Sequence, residues 1–123
     1  MPLEHEDLTG AIIGAAIAVH KELGPGFLES VYDNALAIEL RRRNIPFRRQ
    51  FYVPVFYLED QVGEHRLDYF VSDEIVVELK TAKDITDIHF TVVRSYLRAV
   101  RREHALILNF AKITLEVKRV HAS

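Results

Sequence analysis

The 123-residue sequence contains no cysteine. The chain therefore forms no disulfide and offers neither thiolate ligands for zinc nor a cysteine nucleophile, and this agrees with a reducing compartment. The length is that of one domain, spanning residues 1–123, which can bury a core without cross-links.

Neither sign of charge dominates, since the sequence has 16 Lys and Arg and 18 Asp and Glu, which gives a net charge of −2. The overall charge therefore does not indicate a nucleic-acid binder. Long hydrophobic runs are also missing, because the run at 11–19 has about half the length of a membrane span. It follows Glu4, Glu6 and Asp7 rather than the basic segment of a signal peptide. We expect a cytoplasmic protein with no membrane segment.

Hydrophobic periodicity predicts three helices and five strands. After a frayed lead-in at 1–8, a first helix capped by Thr9 or Asp7 runs to about Leu23 and stops at a Gly-Pro-Gly sequence. The other predicted elements are, in order, a helix at 27–43, strands at 47–58, 64–71 and 74–81, a helix at 87–102, and strands at 105–110 and 113–120.

The connections between these elements predict a mixed sheet. Short loops between the first three strands favour an antiparallel meander, and Pro54 favours an edge position for the first of them. The apolar segment 105–110 is typical of a strand buried on both faces and reached through a helical crossover. The last strand is then the other edge. The fold class is an α/β sandwich with a mixed sheet and two N-terminal helices.

The segment from Arg66 to Lys80 contains the candidate site. Glu78 and Lys80 point to the same face of a strand because side chains alternate with period two. Asp68 and Glu78 can bind Mg²⁺ or Mn²⁺ through carboxylate oxygens, and the Leu79 carbonyl can add another oxygen. Lys80 can orient a water molecule or stabilise charge on a phosphate. By itself the pattern is weak, because such residues also occur on solvated strand faces.

Basic residues and histidines form a second set of candidate ligand-binding residues. A stripe at Arg94, Arg98 and Arg101 can hold phosphates by charge-assisted bonds. The run 41–43 is more typical of a solvated helix face. The six histidines show no pair at zinc-ligand spacing within one element, so no zinc site is predicted.

The segment HKELGPGFLESVY at 20–32 resembles the signature of the bacterial GxxExxY proteins, with Gly26, Glu29 and Tyr32 at the named positions. The resemblance continues in order through FRRQ, RLD, VELK, YLR and LNF, and it covers nearly the whole chain. That family resembles the PD-(D/E)XK nuclease superfamily, whose restriction-endonuclease-like core has the order αβββαβ. The predicted elements match this core with one additional N-terminal helix.

The resemblance implies metal-dependent cleavage of phosphodiester bonds in DNA or RNA, with Mg²⁺ or Mn²⁺ as cofactor. Lys80, Glu78, Asp68 and Glu29 are then the catalytic residues, with Glu29 joining the metal ligands from the preceding helix. Glu29 can equally be stabilising a helix N-terminus. Tyr32 is more typical of a core aromatic whose hydroxyl is hydrogen-bonded.

One position departs from the family pattern. Family members usually place a glutamine three residues beyond the histidine that matches His89, and Val92 stands there in this sequence. His89 or Arg94 can substitute in part, and Gln50 is a further candidate near the site. With Arg98, these residues form the predicted nucleic-acid contacts.

Three functions remain open from the sequence. The first is a Mg²⁺-dependent nuclease. The second is a catalytically impaired module that binds nucleic acid without cleaving it. The third is a protein-interaction domain, or a homodimer formed through exposed edge strands.

Overall fold

The computed structural model describes residues 5–123, and within that range the chain forms three helices and five strands. The predicted lead-in at 1–8 falls partly outside the described residues, and its remainder belongs to the first helix. The elements are α1 His5–Leu23, α2 Glu29–Arg42, β1 Phe47–Tyr57, β2 Asp60–Val71, β3 Ile75–Lys80, α3 Asp87–Val100, β4 His104–Asn109 and β5 Glu116–His121.

The strands form one sheet in the order β1-β2-β3-β4-β5. Strands β1, β2 and β3 form an antiparallel meander, β3 and β4 are parallel, and β5 is antiparallel to β4. Helix α3 makes the crossover between the parallel pair, as the apolar pattern of β4 predicted. Strands β1 and β5 are the two edges, also as predicted, and the β1–β2 register shifts between Val55 and Phe56, next to Pro54.

Two apolar cores lie on opposite faces of the sheet. Helices α1 and α2 cover one face, where Ile12, Leu36 and Leu79 belong to the larger core. Helix α3 covers the other face through Val93 and Leu97. This is the predicted sandwich of helices around a mixed sheet, and no helix within residues 5–123 is long and apolar enough to cross a membrane.

The connection between α1 and α2 explains the spacing of the GxxExxY-like segment. Gly24 and Gly26 have φ angles of 73° and 108°, a region that side chains with a Cβ rarely adopt. The buried Tyr32 hydroxyl donates to the Gly24 carbonyl at 2.6 Å and accepts from the Phe27 N–H at 3.1 Å. Tyr32 is thus a core aromatic with a satisfied hydroxyl, and it fixes the turn that leads to Glu29.

Several predicted boundaries were wrong. Helix α1 already includes Asp7 and Thr9, so neither residue caps it. Strand β2 begins at Asp60 rather than 64, because Leu58 adopts a positive φ of 55° and closes a tighter hairpin than predicted. Helix α3 ends at Val100, since Arg101 adopts a left-handed conformation.

Other elements differ from prediction by smaller shifts at their ends. Helix α2 begins at Glu29 rather than 27, and β5 begins at Glu116 rather than 113. Helical spacing predicts a buried stripe on α3 formed by Ile88, Val92, Val93, Tyr96, Leu97 and Val100. This prediction was wrong at Ile88 and Val92, which are 62% and 39% exposed because they lie outside the face that packs on the sheet.

Candidate metal centre

The candidate site lies where β2 and β3 separate. The antiparallel pairing of these strands covers only three residue pairs and ends at Tyr69 and Val77. Beyond that point the Leu79 N–H has no strand partner on this side, and it donates to Asp68 Oδ2 at 2.9 Å. A side-chain carboxylate therefore replaces a ladder bond and occupies the fork between the strands.

The alternation of side chains breaks at Asp68. Leu67 packs into the core under α3, whereas Tyr69 packs into the core under α1 and α2. Residues two apart normally share a face, so the strand must twist between them. Opposite this point Gln50 has a positive φ of 50° and drops out of the regular β1–β2 register. The irregularity at Gln50 and Asp68, on neighbouring strands, turns the Asp68 side chain toward β3. A period-two sequence pattern does not predict this irregularity.

Glu78 is the buried member of the site, with 6% of its surface exposed. Desolvation raises the pKa of its carboxyl group to about 9, and the negative charge of Asp68 and a hydrogen bond to Asp68 add to the shift. Its Oε1 atom is buried without a hydrogen-bond partner. Two carboxyl groups held this close favour a shared proton, or a cation in its place.

Lys80 lies beside Glu78, as the strand alternation predicted. Its Nζ is 3.8 Å from Glu78 Oε2, and its side chain is 30% exposed. At this distance the ammonium group lowers the pKa of Glu78, but burial and Asp68 outweigh it. Lys80 therefore spans the boundary between the buried carboxylates and solvent.

Glu29 approaches the site from the first residue of α2. Partial desolvation raises the pKa of its carboxyl group, the charge of Asp68 adds to the rise, and Lys80 opposes it. A helix N-terminus alone would favour the ionised form, so desolvation, together with the neighbouring carboxylates, decides the direction of the pKa shift. Glu29 is thus electrostatically coupled to the pair on the sheet.

The donor set fits a hard divalent cation. Asp68, Glu78 and Glu29 offer carboxylate oxygens, which Mg²⁺ and Mn²⁺ prefer, and Glu78 Oε1 has an unsatisfied lone pair. The N–H and C=O of a strand residue point to the same side, so the Leu79 carbonyl is directed toward the fork with its N–H. Within residues 5–123, however, no three His, Asp or Glu side chains already converge closely enough to hold an ion.

Tyr96 of α3 belongs to the site, although sequence reasoning placed it only in the buried stripe. Desolvation raises the pKa of its hydroxyl to about 12, and the charges of Glu78 and Asp68 and a hydrogen bond to Glu78 add to the rise. Its ring and the His65 ring pack in an edge-to-face arrangement, with centroids 4.7 Å apart. In the sequence, this role was indicated by the position of Tyr96 in YLR, one of the segments that resemble the GxxExxY proteins.

Asn109, at the end of β4, was also missed as a positioning residue. Its side chain is fully buried, accepts from the Ala82 N–H at 3.1 Å, and donates to the Ala82 carbonyl at 2.7 Å and to Glu116 at 3.0 Å. The Phe110 N–H also donates to the Lys80 carbonyl at 2.9 Å. These bonds fix the chain immediately after Lys80.

The four predicted nucleic-acid contacts have different surroundings. Gln50 lies at the irregularity opposite Asp68. His89 accepts from the Thr86 N–H at 2.9 Å and caps α3, and Arg94 donates to the His121 carbonyl at 3.1 Å and stacks on Phe90. Arg98 is exposed. His89 and Arg94 thus have structural roles that account for them without a ligand, and their contact with nucleic acid remains a prediction.

Comparison with known proteins places the chain in a family. The family model of the PD-(D/E)XK nuclease superfamily matches residues 6–120, which is nearly the whole chain. Searches of curated proteins and of solved structures gave no significant match. Within residues 5–123, the three helices and five-stranded mixed sheet have the restriction-endonuclease-like architecture of this superfamily. In this chain, Asp68, Glu78 and Lys80 lie where β2 and β3 separate. The chain belongs to the PD-(D/E)XK nuclease superfamily.

Proposed function

We propose that this protein is a metal-dependent nuclease of the GxxExxY type that hydrolyses phosphodiester bonds in nucleic acid. The observation that carries the proposal is the fork between β2 and β3. There Asp68 is fixed by the Leu79 N–H, and the buried Glu78 lies beside both Asp68 and Lys80. Two carboxylates confined in this way are costly unless a proton or a cation neutralises them.

Asp68 and Glu78 would bind Mg²⁺ or Mn²⁺, with the Leu79 carbonyl and Glu29 completing the protein ligands. The bound ion supplies Lewis-acid stabilisation of charge on the phosphate. Lys80 orients the attacking water through its ammonium group, or stabilises the phosphate oxygens, from its position at the solvent boundary. Tyr96, whose hydroxyl is electrostatically coupled to Glu78 and Asp68, would orient the Glu78 carboxyl group.

The proposed nucleic-acid contacts are Gln50, His89, Arg94 and Arg98. Arg98 is the most accessible cation of this set, since His89 and Arg94 are engaged in capping and tethering α3. Nucleic acid would cross the open end of the fork, where Lys80 meets solvent. Phosphate contacts of this kind carry no sequence information, so we expect cleavage with little sequence preference.

The test is cleavage of single- and double-stranded DNA and RNA by purified protein with Mg²⁺, Mn²⁺ or EDTA. We expect cleavage that requires the metal and falls at least 100-fold in Asp68→Asn and Lys80→Ala, a loss typical for a residue acting in the transition state. Exposed Lys83, close in sequence to Lys80 but in the following loop, provides the control Lys83→Ala. Equal cleavage by all variants would identify a contaminant and refute the assignment.

A second function is favoured by one observation. Val92 stands where related proteins usually carry a glutamine, and its side chain is 39% exposed and offers no polar atom. We propose as the alternative that the chain binds nucleic acid without cleaving it. Binding that persists in Asp68→Asn, is lost in Arg94→Ala/Arg98→Ala, and is never accompanied by cleavage would select this alternative.

A further inference from the structure

Two histidines come together at the opposite end of β3 and β4 from the carboxylates. His104 begins β4 and His121 ends β5, and they are partners in the antiparallel register. Their Nδ1 atoms are 3.1 Å apart, and their ring centroids are 4.9 Å apart at an angle of 79°. We propose that His104 and His121 form a binding site for a zinc-class transition-metal ion, separate from the carboxylate site.

The distance between the two nitrogens fits a shared ion. Zinc–imidazole bonds are about 2.0–2.1 Å long. Nitrogens 3.1 Å apart therefore subtend about 100° at an ion bound to both, close to the tetrahedral angle of about 109°. The ion can enter with both strands in place. Imidazole nitrogen suits Zn²⁺, Co²⁺, Ni²⁺ and Cu²⁺ far better than Mg²⁺, which prefers oxygen.

Space for further ligands lies next to the pair. A cavity of about 20 Å³ is lined by both histidines together with Thr9 and Arg119, and this volume is enough for about one water molecule. A four-coordinate ion with two protein ligands needs two more. One water molecule in this cavity and one from the solvent beside the exposed His121 can supply them. The positive charge of Arg119 opposes a cation, so its removal should strengthen binding.

The backbone around His121 is held in place before any ion binds. Arg94 of α3 donates to the His121 carbonyl at 3.1 Å, and the Ala122 N–H donates to the Glu103 carbonyl at 2.9 Å. Both histidines are also fixed in register by the β4–β5 pairing. Such preorganisation lowers the entropy cost of binding. An ion at this point would join the edge strand β5 to β4 and, through Arg94, to α3.

The same distance also permits a hydrogen bond between the two rings, with one Nδ1 donating to the other. A metal site and a ring–ring hydrogen bond predict different results when metal is added. A metal site binds Zn²⁺ at neutral pH and releases it in acid, because only a neutral imidazole nitrogen can bind a metal ion. A simple ring–ring hydrogen bond produces no saturable uptake of metal.

The experiment is calorimetric titration of the full chain with Zn²⁺, and visible absorption with Co²⁺, at pH 7.5 in excess Mg²⁺. The Glu78→Gln background keeps the carboxylate site from contributing. We expect one equivalent to bind, with at least a tenfold loss of affinity in His121→Asn and in His104→Asn and tighter binding in Arg119→Ala. His121 is exposed at the end of an edge strand, so His121→Asn tests the site without a core substitution. Absence of saturable binding below about 100 µM, or the same affinity in His121→Asn, would overturn the proposal.

Discussion

Replacing Glu78 with glutamine should stabilise the metal-free protein while removing its activity. Glu78 is buried beside Asp68, and burial raises the pKa of its carboxyl group from 4.5 to about 9. Glutamine has nearly the same shape, and its amide N–H can donate to Asp68 in place of the carboxyl proton. The substitution removes the ionisation of this side chain and leaves the fork packed.

The magnitude follows from the difference in proton affinity between the folded and unfolded chains. Between pH 4.5 and about 9 the folded chain holds the Glu78 proton more tightly, so stability falls as the pH rises through this window. The slope is about 1.4 kcal/mol per pH unit for one proton. At pH 7 the Glu78 carboxyl group is ionised in the unfolded chain but protonated in the folded chain, and this difference favours unfolding by about 3 kcal/mol. Glu78→Gln removes this destabilising contribution. A gain of this size raises the Tm by roughly 10 °C in a domain of this length.

The measurement is thermal unfolding of both proteins in EDTA from pH 5 to pH 8.5. We expect the free energies of unfolding to be similar at pH 5 and to diverge as the pH rises, with the variant more stable. Glu74→Gln, in the exposed turn before β3, serves as the matched control and should follow the wild type. Added Mg²⁺ should stabilise only the wild type and the control, because the ion replaces the proton. Parallel pH profiles for wild type and Glu78→Gln would refute the reasoning.

Three further predictions concern neighbouring side chains. Tyr32→Phe should lower the free energy of unfolding by about 1–3 kcal/mol, measured by urea denaturation, because it leaves the Gly24 carbonyl and Phe27 N–H unsatisfied; an unchanged midpoint would contradict this. Tyr96→Phe should reduce cleavage at least tenfold with folding intact, since only the hydroxyl near Glu78 is lost; wild-type kcat would count against a role in the site. Val92→Gln should raise cleavage and tighten Mg²⁺ binding at little cost in stability, because the position is partly exposed; Ile88→Gln, an exposed site on the same helix, is the control.

Much of the fold was predictable because its local signals agree with its tertiary contacts. The predominantly apolar residues of β3 and β4 reflect burial from both faces of the sheet, and both strands pair as their patterns indicated. The turn at Ser72 and Asp73 also agrees with prediction, since both residues adopt positive φ angles of 53°. Such features depend on the nearest residues in the chain.

Prediction failed where the outcome is set by a backbone angle or a contact that the residue pattern does not show. The position of β2 within the hairpin depends on the tight turn at Leu58, and exposure along α3 depends on which face meets the sheet. The roles of His89 and Arg94 likewise follow from an N-cap and from a carbonyl on β5. A motif pattern contains no information on these partners.

The sequence by itself determined the order of the elements, the meander followed by a crossover, and the placement of Glu78 and Lys80 on one face of a strand. It also identified the carboxylates and the family resemblance, because these depend on residue type and spacing. Only the tertiary structure decided that β2 and β3 part at Tyr69 and that a twist at Asp68 directs its carboxylate to the Leu79 N–H. The physical reason is that burial and electrostatic coupling arise between chain segments far apart in sequence. The raised pKa of Glu78 and the pairing of His104 with His121 are both consequences of that packing.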